Sequence, residues 1–528
     1  MAKFPLNEPV DVCVIGTGAG GGNVMRELCT AGVKVVALEA GPRFVPYRDF
    51  VNDELVMFNR TAWLDPVLPA GPDQTASPIW LAKGVGGTTI HWSAVSLRLQ
   101  SHEFKARTTY GDIAGTTLVD WPITLEEMLP YYKLAEKYLG VTGRVQPFPI
   151  GNTNFLVMKK GADALGLHAH PSYLAINARG AYDKRPMCVQ CGFCDTGCST
   201  MAKWSTLYEA IPKAEATGNL DLRPQCMALR ITTDAKGQAH SVVYAGPDGK
   251  HHEQRARVVV IACNSIQTPR LLLISESAQF PHGLANGSGQ VGKNYTRHMS
   301  GAVWGLFPKP VEAFKGITFA GIIEDFNVNR PKERGFAAGF HFETIMMGPT
   351  RLCTFAQPGS EISTPWARGL WGEAVRELMD NYTHTAGMWI VGEDMPQERN
   401  GVTLHSTRKD QYGLPVPVVY FADHENDKKM RQYAWARGRE IFQAAGAFKT
   451  YESPPWPSAH NMGTCRMGID PGKSVVNQHG QAHQVKNLFI ADGSVFPTSG
   501  AENPTLTISA LAIRQAHYIA ASMKKHEL

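Results

Sequence analysis

Residues Asp11 to Gly41 read DVCVIGTGAGGGNVMRELCTAGVKVVALEAG. Asp11 to Ile15 is a short apolar run of strand type, Gly16, Gly18 and Gly21 are spaced G-x-G-x-x-G, and Val24, Met25 and Leu28 then recur at helical spacing. Glycine is needed there because side chains would block the turn, the approach of backbone amides to a pyrophosphate, and close packing of helix on sheet. The helix N-terminus supplies open N–H groups and a favourable dipole to phosphates. Gly32 ends the helix, and Val33 to Leu38 forms a second apolar strand that delivers Glu39, an acid about 20 residues beyond the turn, where a ribose hydroxyl would lie. The unit predicts a bound dinucleotide, with NAD and FAD both open.

A chain of 528 residues with 43% hydrophobic content can bury a large core, and its length suits two to four domains. The formal net charge of +5 is small for this size and no dense Lys/Arg run occurs, which argues against nucleic acid and for a small-molecule ligand. No apolar stretch approaches bilayer length, and the first ten residues, MAKFPLNEPV, lack a signal core or twin arginine. A soluble chain without its own export address is expected, either cytoplasmic or exported with a signal-bearing partner.

Four of the ten cysteines fall within eleven positions, Cys188-Val-Gln-Cys191-Gly-Phe-Cys194-Asp-Thr-Gly-Cys198. The spacing C-x2-C-x2-C-x3-C matches bacterial iron–sulfur ferredoxins, with Ser199 in place of the usual proline. Two-residue gaps let a loop wrap several irons, and Gly192 and Gly197 supply the bends. Structural zinc would ask for two C-x-x-C pairs set further apart, and disulfides for an oxidising compartment. The spacing therefore predicts an iron–sulfur loop over residues 186–199, with Cys188, Cys191, Cys194 and Cys198 as ligands. In two-cluster ferredoxins one of the four serves another cluster, so the number of irons stays open.

After Gly41 the segment through Gln74 has no clear periodicity and reads as an excursion around a cofactor or over the surface. Lys83 to Trp92, KGVGGTTIHW, lets a backbone pass close to a flat ring while threonine hydroxyls hydrogen-bond to it. Together with the N-terminal loop, this segment resembles the glucose-methanol-choline family of FAD oxidoreductases, whose second loop touches the flavin. The resemblance implies cofactor contacts from Gly16, Gly18, Gly21, Glu39, Gly86, Gly87, Thr88, His91 and Trp92. His91 holds a place that some relatives join covalently to the flavin through a T-H-W or S-H-N motif. Here the text is Ile90-His91-Trp92, and a covalent link or a stacked histidine are both open.

From Asp120, DWPITLEEMLPYYKLAEKYLG predicts a helix with Leu125, Met128, Tyr132 and Ala135 near one face, leading into a substrate-facing domain. Leu220 to Leu222, Leu229 to Thr232 and Arg257 to Cys263 read as strands, with a turn at Gly246 to Gly249. Met227, between the first two, lies where the family's chain passes the adenine, unless it is a core methionine. Asn264 to Ser275, then Val291 to Asn294 with His298, resemble the family's second signature. Strands at Gly301 to Leu306 and Val416 to Phe421 suit a sheet that roofs the flavin, and Asp427 to Ala445 a helix.

The segment Ser458-Ala-His460-Asn461-Met-Gly463-Thr464-Cys465-Arg466-Met-Gly468 is followed by Asp492-Gly493 and by Asn503-Pro504-Thr505, then an apolar helix. By resemblance, His460 removes or positions the alcohol proton with Asn503 beside it. Asp492 and Gly493 run past the ribityl chain, and Asn503, Pro504 and Thr505 lie near the pyrimidine. The unperturbed pKa of histidine suits a base near neutrality.

The expected fold is α/β: a Rossmann-like FAD-binding domain over 1–105, 200–304 and 446–528, an interleaved α+β substrate domain with a mixed or antiparallel sheet over 106–185 and 305–445, and the iron–sulfur loop. The resemblance implies a dehydrogenase that moves a hydride from an alcohol of a sugar, sugar acid or glycoside to flavin N5. Related enzymes carry a three-iron cluster at this point in the chain, which favours 3Fe–4S over 4Fe–4S. A cluster takes one electron at a time, which points to an external acceptor such as cytochrome c. By analogy a small chaperone-like subunit and a cytochrome c subunit accompany the chain, giving a periplasmic complex held at the membrane through its partners. The alternatives are a cytoplasmic location and an oxygen-using alcohol oxidase whose cysteines are structural.

Overall fold

Val10–Ile15 is almost wholly buried, as a strand covered on both faces of a parallel sheet requires. In the computed structural model it sits inside a seven-stranded sheet ordered Leu220–Arg223, Val35–Leu38, Val10–Ile15, His251–Ile261, Ala239–Ala245, Met227–Thr233, with Leu488–Ile490 also pairing His251–Ile261. The structure describes all residues except 1–2, 6–7, 64, 74–80, 150, 318, 328–330, 346–371, 374–375, 377–379 and 454–458, and the side chains of 54–55, 58 and 453. The ends of the excursion at Gln74 and of the string at Ser458 lie outside the described residues.

His251–Ile261 joins two kinds of sheet. Its first half runs antiparallel to Ala239–Ala245, while its second half lies parallel between Val10–Ile15 and Leu488–Ile490. The sequence follows suit: HHEQRAR alternates between exposed and covered positions, and VVVI is continuously buried. Reading strand from Arg257 alone missed the polar half. Met227 likewise does not lie between strands but opens one, since its pairing with Ala245 extends the ladder.

Helix Ala19–Thr30 starts directly after the glycine turn and ends before Gly32, whose φ of +85° is left-handed. Its Val24 and Leu28 share a core with Ala512, Ala516 and Ile519 of the final helix Thr505–Lys524. The excursion after Gly41 contains short helices at Pro46–Asp49 and Glu54–Thr61, and a strand, Leu68–Ala70, that pairs with Pro415–Tyr420.

A second sheet of six strands is antiparallel throughout, in the order Lys449–Ser453, Met299–Leu306, Thr385–Gly392, Phe340–Ile345, Gly321–Ile323, Ala169–Pro171. It thus takes in strands on both sides of the 305–445 stretch. Val303, Phe342, Met388 and Ile390 pack on one face in a core with Met430, Ile441 and Phe442 of helix Glu425–Ala445. Ala302, Trp304, Ile322, Ile345, Trp389 and Val391 occupy the opposite face, toward the first sheet's core. Helix Leu125–Leu139 forms as expected, with Thr124 and Glu127 as a capping box and Gly140 in the left-handed cap position. Among the described residues no helix is long and apolar enough to cross a membrane.

Candidate active site

The glycines of the first turn are required by contacts as well as conformation. Gly16 has φ +96°, and a Cβ there would lie 2.3 Å from the Ala262 carbonyl oxygen. Gly87, in the second glycine loop, would place a Cβ 2.8 Å from Gly18 Cα, so the two loops meet backbone to backbone. Gly20, which the motif spacing did not single out, would put a Cβ 1.5 Å from the Ala491 oxygen. Helix Ala19–Thr30 has no side-chain cap at Gly18 and no acid in its first turn, leaving its amides and dipole for a phosphate.

One cavity runs the length of this junction. It is lined by Glu39 and Met227, then Gly16, Gly18 and Gly20, then Gly87, Thr88, His91 and Trp92, and finally Asp492, Gly493, His460 and the run Asn503-Pro504-Thr505. Gly21 and Gly86, also expected to touch the cofactor, do not line it. A Cβ on Gly21 would strike the Gly16 oxygen at 2.0 Å, so this residue lets the helix pack on the turn. Gly86, at φ +104°, donates its N–H to Thr17 Oγ1 at 3.0 Å and shapes the second loop.

Glu39 is buried and accepts hydrogen bonds from the Thr17 hydroxyl at 2.6 Å and the Gly41 amide at 3.0 Å. Burial raises its pKa, an effect these donors oppose. Asp492 is fixed by the Thr268 hydroxyl at 2.5 Å and by the amides of Asn264 and Ser494. Thr17, inside the opening stretch, thus ties the acid to both glycine loops, a role that G-x-G-x-x-G spacing does not reveal.

His460 is carried by a segment stitched on two sides. Met462 exchanges backbone bonds with Thr296, Gly463 N–H donates to the Gly493 oxygen at 3.1 Å, and the Ser265 hydroxyl donates to the Asn461 oxygen at 2.7 Å. The His460 ring stands 5.5 Å from Trp389, centroid to centroid, and its Nδ1 is 2.8 Å from Nδ1 of His298. That contact needs one hydrogen between the two nitrogens. Placed on His460, it leaves Nε2 of that ring as a lone pair, the tautomer of a base. Burial, then nearby His341, lowers the pKa of His460 to about 3, so the ring is neutral at pH 7. Asn503 is 2% exposed, and neither its Oδ1 nor its Nδ2 has a partner. A buried amide left so is poised for a ligand. His298 was visible only as part of a motif; its bond to His460 is a tertiary fact. Phe319, Ile345 and Trp389 complete the cavity wall on this side.

The cysteine loop abuts the same cavity, which Asp195 helps to line. Gln190, Gly192 and Gly197 have left-handed backbone, which curls the loop. All four cysteines are thiols rather than disulfides, with Cys191 exposed and the others half-buried. The Gln190 amide points at Cys188 Sγ (3.3 Å) and the Lys203 amide at Cys198 Sγ (3.5 Å). Lys203 is 1% exposed, and its Nζ donates to the carbonyls of Ile90 (3.2 Å), Trp92 (2.7 Å) and Cys194 (2.5 Å). Burial lowers its pKa, and the groups opposing this are Cys194, Cys198, Asp195 and Cys191. The donor chemistry suits an iron–sulfur centre: soft sulfurs, N–H groups on sulfur and a buried cation. Among the described residues, however, no three His, Cys, Asp or Glu side chains converge as a metal-binding group, so the expected ligand set is not assembled.

Two models of the same family, GMC oxidoreductase, match residues 16–300 and 396–512. The chain is a GMC oxidoreductase. The oxidoreductase is 33% identical to the 2-methyl-1,2-propanediol dehydrogenase of Mycolicibacterium austroafricanum over 97% of this chain and 95% of that one. It is 30% identical to the fructose dehydrogenase large subunit of Gluconobacter japonicus, over 98% of each. Its fold is similar to that of a formate oxidase of Aspergillus oryzae, with a TM-score of 0.67 at 14% identity, covering 99% of this chain and 100% of that one. Membership makes the GMC chain an enzyme acting on CH–OH groups, with FAD as cofactor. The cavity fits that cofactor: an acid at one end, an uncapped helix N-terminus and two side-chain-free loops in the middle, and an unpartnered amide beside a neutral histidine at the other.

Proposed function

We propose that this oxidoreductase is a dehydrogenase that converts an alcohol group of a neutral sugar or related polyol to a carbonyl and delivers the electrons to an external one-electron acceptor such as a cytochrome c. Asn503 hydrogen-bonds the substrate oxygen and orients it, since both ends of its amide are uncommitted. His460 accepts the hydroxyl proton at Nε2, and His298 holds its ring and tautomer. Bound FAD supplies the hydride acceptor. Phe319, Ile345 and Trp389 exclude water around the reacting carbon. Arg270, the one lysine or arginine among the described residues lining the cavity, is already paired with Asp410 at 2.6 Å, which favours an uncharged polyol over a sugar acid.

The observation that carries the dehydrogenase reading is Lys203, a buried cation whose bonds join the cysteine loop to the flavin loop. A charge so placed calls for anionic neighbours, and the acidic groups near it are Asp195 and the cysteines of the loop. Cys188, Cys191, Cys194 and Cys198 would hold an iron–sulfur centre, three-iron by preference, which would supply one-electron exchange beside the flavin. The relative that is named a large subunit supports a multi-subunit assembly. The small signal-bearing subunit, the cytochrome c subunit and the periplasmic location belong to the same proposal and rest on analogy. Iron and acid-labile sulfide counted on anaerobically purified protein, with low-temperature EPR of the oxidised state, test the centre. D-fructose and 2-methyl-1,2-propanediol, each offered with cytochrome c or with oxygen, test the chemistry. Protein without iron or sulfide that forms hydrogen peroxide stoichiometrically would establish the oxidase instead.

A further inference from the structure

Between Met299 and Tyr412, Phe319, Ile345 and Trp389 are the only described residues that line the cavity. Two of these side chains are hydrocarbon throughout. The third carries an indole N–H, the one polar side-chain atom on this wall.

Trp389 is placed by its strand. In Thr385–Gly392, Met388 and Ile390 pack toward helix Glu425–Ala445, so Trp389 and Val391 turn to the opposite face, toward the first sheet's core. Ladders on both sides hold it, opposite Ala302 on one and Glu343 on the other, and the Phe319 ring lies 5.9 Å from it between centroids. Trp389 is 8% exposed, and its ring stands 5.5 Å from that of His460, tilted by 47°. Its Nε1 is buried and has no hydrogen-bond partner among the described residues. A buried indole N–H ordinarily has an acceptor, because leaving it without one costs the desolvation of the donor. The ring borders the cavity, so a molecule held there can supply that acceptor. Asn503, at the same end, is left open in the same way. Together these groups offer more than one hydroxyl can use: His460 and Asn503 already account for the alcohol that reacts, and the N–H of Trp389 is surplus to it.

We propose that Trp389 Nε1 binds a second oxygen of the substrate, on the carbon next to the one oxidised, and so selects alcohols that carry an oxygen in that position. The inference rests on the alcohol oxidation argued above and narrows its substrate class to vicinal diols and to sugars oxidised beside a hydroxyl or ring oxygen. Indole nitrogen only donates, so the bound group must accept: a hydroxyl or ether oxygen qualifies, and a methyl or an ammonium does not. Hydrogen bonds to His460 and to Trp389 each span about 3 Å. With ring centroids 5.5 Å apart, they suit oxygens on adjacent carbons rather than at the two ends of a long chain. Phe319 and Ile345 provide no polar group that could take the place of the N–H. An analogue without the second oxygen leaves that donor unpaired in the closed site, and this penalty sets the selectivity.

Three alcohols of nearly equal shape, each with a single oxidisable carbon, test it: 2-methyl-1,2-propanediol, 2,2-dimethyl-1-propanol and 2-amino-2-methyl-1-propanol. They place a hydroxyl, a methyl or, protonated at pH 7, an ammonium on the neighbouring carbon. The readout is the second-order rate constant of anaerobic flavin bleaching in stopped flow. In wild type the diol should exceed each of the other two by about tenfold or more. Trp389→Phe keeps an aromatic ring without the donor, and should bring the ratio of diol to dimethylpropanol close to one by slowing the diol. The wild-type series needs no variant, so it decides even if Trp389→Phe does not fold. Equal rates for diol and dimethylpropanol in wild type overturn the inference, as does a preference that survives in Trp389→Phe. A wild type that favours the ammonium overturns it too, since the ring face would then be the binding group. Absence of bleaching by these alcohols and by D-fructose alike would instead defeat the functional reading itself, and the inference with it.

Discussion

Replacing Lys203 with methionine removes a buried ammonium but keeps most of the stem. Three carbonyls, on Ile90, Trp92 and Cys194, lose a charged donor. Hydrogen bonds to charged groups contribute roughly 1.5–3 kcal/mol each, so three would sum to about 5–9 kcal/mol. Burying the ammonium costs several kcal/mol, which offsets much of that and leaves a net loss of about 2–4 kcal/mol. The loss falls on the contact between the flavin loop and the cysteine loop. Lys203→Met is therefore expected to lower the midpoint of thermal unfolding by a few degrees and to shift the visible flavin spectrum, because the Ile90 and Trp92 carbonyls are released together. Lys203→Arg should not restore either, since a planar guanidinium cannot take the place of a tetrahedral donor among three converging oxygens. Differential scanning fluorimetry and absorption spectra of the two variants beside wild type would decide. An unchanged midpoint with an unchanged flavin spectrum would refute the bridge.

His460→Ala should slow substrate-driven flavin reduction by about 10²–10⁴-fold while FAD stays bound, as read by stopped-flow absorbance. Gly16→Ala should purify without flavin, because the new methyl meets the Ala262 oxygen at 2.3 Å in a left-handed backbone; the ratio of flavin to protein absorbance measures it. Cys191→Ser, at the exposed end of the loop, should lose iron while keeping its far-ultraviolet circular dichroism; full iron content would exclude Cys191 as a ligand. Burial, then the charge on Lys203, depresses the His91 pKa from 6.5 to about 3. The unfolded chain then takes up the proton first, and stability falls as pH drops from 6.5 toward about 3, by about 1.4 kcal/mol per pH unit for each such histidine. Denaturant midpoints across that window give the slope. Because His460 shifts in the same direction, flavin reduction should not fail as pH passes below 6.5.

The parts of the fold that could be read in advance share a physical cause. Val10–Ile15, Val35–Leu38 and helix Ala19–Thr30 announce themselves because burial on both faces leaves no choice of residue type, and because glycine is the only residue the turn admits. Glu39, His460, Asn503 and the Asp492 turn were legible by position within strings whose neighbours are constrained in the same way. Strands Phe340–Ile345 and Thr385–Gly392 were not. FHFETI mixes apolar residues with a buried histidine and glutamate, so neither alternation nor a continuous apolar run marks it as a strand. The same mixture hid His341, and Lys203 and the contact of His298 with His460 were equally out of reach, because their partners are distant in sequence and their types would ordinarily suggest a surface. Gly21 and Gly86 show the opposite limit: a motif names the glycines a loop needs without saying which of them touch the ligand.

The final helix, Thr505–Lys524, packs on Ala19–Thr30, the helix whose N-terminus addresses the phosphates, and it begins beside Asn503. During synthesis the glycine turn leaves the ribosome long before His460, and Asn503 later still. The cavity cannot be closed until the chain has been synthesised past Asn503 and Thr505. Until then the segment carrying Val24 and Leu28 lacks the cover that Ala512, Ala516 and Ile519 give it in the folded chain. Flavin capture is thus a late event, and a chain arrested before Asn503 would hold the dinucleotide turn without the means to retain its ligand.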